Sequence, residues 1–210
     1  MAEITTFDRN ALARHGKRLE YFTIAWNTLE GLVAVFAGVN AGSISLVAFG
    51  IDSFIEVASG GALLWRMSAD ADEGRREKRE VISLRIVGVC FLGLALYVGY
   101  EALASLVRVK APGRSIAGIL LAVAAVFVMP VLARAKRRVS AQLGSSAMAA
   151  DAKQTQFCTY LSAILLGGLF LNAVFGLWWA DPVAALVMVP AIGKEGIEGL
   201  QGKTRCAECH

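Results

Sequence analysis

Charge is scarce in this chain. Asp, Glu, Lys and Arg make up 18% of its 210 residues, against about 25% in an average soluble domain. Histidine is scarcer still, with two residues, and cysteine contributes four. Four cysteines in an intracellular or membrane chain do not build a disulfide scaffold. No cleavable signal is visible, because the first apolar run follows a polar start and lacks a small-residue cleavage site. What is abundant is apolar: 56% of the residues are hydrophobic and the mean hydropathy is +0.57. The charged residues are clumped, and apolar stretches of about 20 residues separate the clumps, the length that crosses a bilayer as a helix. Six such helices would use most of the chain. This excludes a soluble enzyme and a large extramembrane module.

Six spans can be read, which predicts an all-α integral membrane protein, a six-helix transmembrane bundle. They run from about Leu19 to Val39, Ser43 to Trp65, Ile82 to Val107, Ile116 to Leu132, Ser146 to Trp178, and Val183 to Ile192. The expected organisation is a cytoplasmic tail over 1–18, the transmembrane domain over 19–200, and a short Cys/His tail over 201–210. Asn40-Ala41-Gly42, Pro112-Gly113 and Ala180-Asp181-Pro182 mark turns.

The net charge of +4 reads as topology rather than as a nucleic-acid surface. Arg9, Arg14, Lys17 and Arg18 precede the first span. Arg66, Arg75, Arg76, Lys78, Arg79 and Arg85 surround the second loop. Arg134, Lys136, Arg137 and Arg138 are assigned to the fourth-to-fifth loop, and Lys194, Lys203 and Arg205 follow the last span. All of these fall on one side, and only Arg108, Lys110 and Arg114 on the other. The positive-inside rule places both termini in the cytoplasm.

Ionisable residues inside the spans are the functional suspects, since each costs about 2.5–3.5 kcal/mol on insertion scales. Asp52 and Glu56 lie four apart in the second span and share a helix face. Two like charges so placed repel unless a cation or proton lies between them. The structural alternative is pairing with a Lys or Arg of another helix. Against it, no Lys or Arg is read deep in any other span, Lys153 lying near an edge. Gln154 and Cys158 are likewise four apart near the start of the fifth helix, with Asp151 three before Gln154. An amide oxygen and a thiolate are able to complete a four-ligand site begun by two carboxylates, and thiolate favours Zn²⁺ over Mg²⁺ or Ca²⁺. Taken alone, Gln154 and Cys158 read sooner as a solvated amide and a small buried hydrophobe than as ligands.

The stretch Gly42-Ser43-Ile44-Ser45-Leu46-Val47-Ala48 leading to Asp52 and Glu56 resembles the second span of the cation diffusion facilitators. Ala150-Asp151-Ala152 followed by Gln154 and Cys158 matches the register of that family's fifth-span pair. Tyr100-Glu101-Ala102 and Asp181-Pro182-Val183-Ala184-Ala185 are also similar. The resemblance implies metal ligation by Asp52, Glu56, Gln154 and Cys158. It also implies homodimerisation, here through the spans. Three departures stand out: Gln154 and Cys158 replace the usual His and Asp, Glu56 replaces Asp, and the family's carboxy-terminal metal-sensing domain is expected to be missing.

The expected function is therefore not enzymatic: Zn²⁺ efflux by proton-coupled alternating access, in a multi-pass protein of a bacterial inner membrane. Zn²⁺ would be the transported ion, with protons and the bilayer as partners, no nucleic acid, and no tightly bound cofactor. Glu30, three residues after Asn27, reads either as a proton relay or access-path residue or as a packing hydrogen bond. Glu101 and Asp181 read as structural. The tail Cys206-Ala207-Glu208-Cys209-His210 spells C-x-x-C-H, a haem-attachment signature that does not suit a cytoplasmic tail. It leaves open a membrane redox or metal-handling role, and a non-metal transporter or scaffold is a further alternative.

Overall fold

A computed structural model describes residues 6–68, 73–109 and 112–201, and the tail with Cys206, Cys209 and His210 lies outside these. The described residues form six helices: α1 (Thr6–Ala41), α2 (Ile44–Ser68), α3 (Glu73–Arg108), α4 (Ile116–Leu143), α5 (Ser146–Phe175) and α6 (Ala180–Leu200). Helices are what such apolar segments must form, because in hydrocarbon every backbone group needs an internal partner. The helix ends are chemically marked. Ser115 and Ser145 accept backbone N–H bonds from Gly118 and Met148 at the starts of α4 and α5. Gly144 (φ 62°) and Gly176 (φ 66°) close those two helices in the left-handed region that glycine tolerates.

Several boundaries differ from the sequence reading. α1 begins at Thr6, inside the expected tail, and α3 begins at Glu73, inside the expected charged loop. α4 continues past Leu132 to Leu143, so Arg134, Lys136, Arg137 and Arg138 are helical residues rather than loop residues. The last turn is made by 176–179, and Asp181-Pro182 stands in the first turn of α6, where proline's missing N–H costs nothing. α1 to α5 each contain a segment long and apolar enough to cross a membrane. α6 is not among them: its apolar run lies between Asp181 and Lys194, and it completes the bundle by packing.

α1 packs on α2 and α4, and α5 on α4 and α2, which closes a four-helix group. α3 and α6 form a second pair that rests on α2, with α6 also touching α5. Glycine permits the closest of these approaches. A Cβ on Gly50 of α2 would stand 2.9 Å from the backbone N of Val35 on α1, and one on Gly88 of α3 only 2.7 Å from that of Leu200. The bundle is inverted relative to a soluble protein. Phe36 (75% exposed), Leu96 (76%) and Ile116 (74%) face outward, whereas Glu20, Asn27, Glu30, Asp52, Glu56 and Lys136 are buried. Carboxylates inside and large apolar side chains outside suit a lipid surround.

Candidate metal centre

α2 presents Asp52, Ser53 and Glu56 to the interior of the four-helix group, each almost fully buried. α5 presents Asp151, Thr155, Cys158 and Ser162, all buried, at the three-to-four spacing of one helix face. Thr155 joins the two helices, its hydroxyl donating to Glu56 Oε1 at 2.7 Å. Cys158 is near enough to Asp52 and Glu56 to interact electrostatically with both. Three of the four expected ligands, Asp52, Glu56 and Cys158, thus line one interior. Gln154 is only half-buried and stands one residue from Thr155, off the centre of this face. Its amide nitrogen is nevertheless buried without a partner.

In this conformation Glu30 and Glu56 rest on hydroxyl groups. Ser53 donates to Glu30 Oε2 at 3.2 Å, as Thr155 does to Glu56. Glu30 Oε1 and Glu56 Oε2 have no hydrogen-bond partner. Among the described residues, no three His, Cys, Asp or Glu side chains converge closely enough to enclose a metal ion.

The expectation that no Lys or Arg reaches the interior is overturned by Lys136. Its side chain is 0% exposed and ion-paired with Glu20 Oε2 at 3.2 Å and with Asp151. It also donates to Thr155 Oγ1 at 3.2 Å. Glu20, Lys136, Thr155 and Glu56 therefore form one chain of contacts through α1, α4, α5 and α2. Part of the structural alternative for Glu56 is thereby realised, through the Thr155 hydroxyl rather than by direct pairing. The sequence does carry a signal for Lys136. Met129, Leu132, Ala133, Lys136, Val139 and Ser140 are all buried, and their spacing continues the inward face of the apolar run. Thr155 carries no such signal, being a neutral residue between two glutamines.

At the opposite end of α2, Asp181 of α6 takes the structural role expected of it. It accepts hydrogen bonds from the hydroxyls of Ser43 and Ser45 and from the Ile44 backbone N–H at 2.9 Å. Lys153 is exposed and pairs with Glu198 at 3.0 Å.

Comparison with known proteins bears on this interior. Residues 21–199 match the cation efflux transmembrane domain. The chain is also 28% identical over 151 residues to an uncharacterized transporter of Synechocystis sp., a match covering 69% of this chain and 49% of that protein. The chain thus spans about half the length of the curated relative it matches.

Proposed function

The chain belongs to the cation efflux family, and on that premise we propose that it exports a divalent metal ion, Zn²⁺ foremost, by proton-coupled alternating access. Family membership supports reading the protein as a multi-pass membrane transporter of cations rather than an enzyme. The metal, the coupling and the site are the further reading. Asp52, Glu56 and Cys158 supply anionic donors, and Gln154 a neutral one. The observation that carries this reading is the meeting of α2 and α5 at Glu56 and Thr155, with Cys158 near both carboxylates. A thiolate among carboxylates suits Zn²⁺ or Cd²⁺ better than hard cations.

Ligands must lose their protons to bind metal, so metal and proton occupancy compete at one place. Protons arriving from the far face displace the ion there, and their departure on the near face restores the site. This competition couples the two fluxes without a separate coupling residue. The protein works in this reading as a homodimer held through its spans, in a bacterial inner membrane. Proteoliposomes with Zn²⁺, Cd²⁺, Mn²⁺ and Fe²⁺ in competition under an imposed pH gradient test it. Zn²⁺ or Cd²⁺ flux that follows the gradient is the expected result. Flux indifferent to pH would defeat the antiport, and the absence of any metal flux would defeat the whole reading.

A further inference from the structure

The metal site read above draws its donors from α2 and α5, yet the interior holds a third buried carboxylate that this reading leaves unused. Glu30 of α1 is 1% exposed. Its carboxylate receives the hydroxyl of Ser53, the residue that follows Asp52. It lies close enough to Glu56, Asp52 and Cys158 to interact with each electrostatically. Lys136 does not serve Glu30: its ion pairs are with Glu20 and Asp151.

A second observation points to a ligand at the same level. Asn27 is 0% exposed, and neither its amide oxygen nor its amide nitrogen has a hydrogen-bond partner. The register of α1 against α2 locates it. Gly38 faces Val47, Val35 faces Gly50, Glu30 bonds Ser53, and Ile24 faces Gly60. These antiparallel pairs put Asn27 opposite Glu56, whose Oε2 is also unpartnered. An amide buried with both ends unsatisfied is costly unless something polar occupies the space beside it.

We propose that Glu30 is a ligand of the transported divalent cation, supplied by α1 to a three-helix site with Asp52, Glu56 and Cys158, and flanked by Asn27. This rests on the metal-transport reading and adds to it a carboxylate from a helix outside the expected pair. When metal enters, Glu30 leaves Ser53 and Glu56 leaves Thr155, so both carboxylates exchange a hydroxyl for the ion. A divalent ion then offsets two of the charges that three carboxylates carry in one dry compartment, where Lys136 acts on Glu56.

The test measures Zn²⁺ binding calorimetrically on the full chain in lipid nanodiscs, for the wild type, Glu30→Gln and Asp52→Asn. Glu30→Gln keeps the size of the side chain and an oxygen for Ser53 while removing the charge. It is expected to weaken Zn²⁺ binding about 10- to 100-fold, and Asp52→Asn at least as much. Wild-type affinity in Glu30→Gln beside a loss in Asp52→Asn overturns the role of Glu30 and leaves the transport reading standing. A wild type that binds no Zn²⁺ overturns both. Should Glu30→Gln fail to fold, Glu30→Cys loaded with Co²⁺ decides the matter independently. A ligand at this position adds thiolate-to-cobalt charge-transfer absorbance over that of the wild type, and an unchanged spectrum overturns the proposal.

Discussion

At one end of the four-helix interior Lys136 stands between Glu20 and Asp151. Deeper in, Glu30, Asp52 and Glu56 share the same dry space; Lys136 is linked to Glu56 through the Thr155 hydroxyl and ion-pairs with none of the three. The first group carries its own counter-ion as a covalent part of the chain. The second holds Glu30 and Glu56 on neutral hydroxyls, and each of the four acids Glu20, Asp151, Glu30 and Glu56 keeps one oxygen without a partner. A buried acid with a permanent cation is a structural joint, whereas a buried acid without one has room for a cation that comes and goes. On the proposed function, the difference separates residues that hold the helices together from residues that handle cargo, although all are buried.

The contrast is broken most severely from the cargo side. Asp52→Ala or Glu56→Ala is expected to nearly abolish metal flux in vesicles while leaving expression intact, and wild-type flux in either variant would sink the assignment. Next in size, Lys136→Met strands Glu20 and Asp151 without a counter-charge, at a cost of about 3–5 kcal/mol. Thermal denaturation in detergent should show a large loss of stability. The triple change Lys136→Met, Glu20→Gln, Asp151→Asn should recover most of it, since it removes the stranded charges together. Cys158→Ser keeps the site's size and should shift the Zn²⁺/Cd²⁺ preference by about tenfold. An unchanged ratio argues against thiolate ligation. Metal binding should also tighten with rising pH, by about tenfold per pH unit for each proton displaced, as titration calorimetry at several pH values will read. Smallest is Thr155→Val, which removes the hydroxyl linking the two groups and should cost about 1 kcal/mol of stability.

Much of this interior is legible in the amino-acid sequence. The i,i+4 pair of Asp52 and Glu56 within an apolar run requires burial together, and the same spacing points to Cys158. Lys136 is not legible in the same way. Three arginines surround it, and a cluster of four basic residues looks like a loop. Its helical phase belongs to the buried face, but composition obscures phase. Gln154 shows a different limit of the sequence. Its four-residue spacing from Cys158 is that of one helix face, yet the inward face of α5 centres on Asp151, Thr155 and Cys158, roughly one residue round the helix. Spacing alone fixes which side chains share a face and not which face turns inward. The position of α6 is legible, but its apolar run is too short to qualify as a span by itself.

Asp181 fastens the amino-terminal end of α2 through two serine hydroxyls and a backbone N–H. Mechanically, this makes that end of the helix a pivot and the remainder a lever arm. Glu56 stands eleven residues beyond Ser45, about 16 Å along the arm, and Asp52 about 10 Å along it. A tilt of about 10° would carry Glu56 sideways by about 3 Å and Asp52 by about 2 Å. That stroke is comparable to a hydrogen-bond length, so on the proposed function a small rotation of one pinned helix suffices to trade a threonine hydroxyl for an ion.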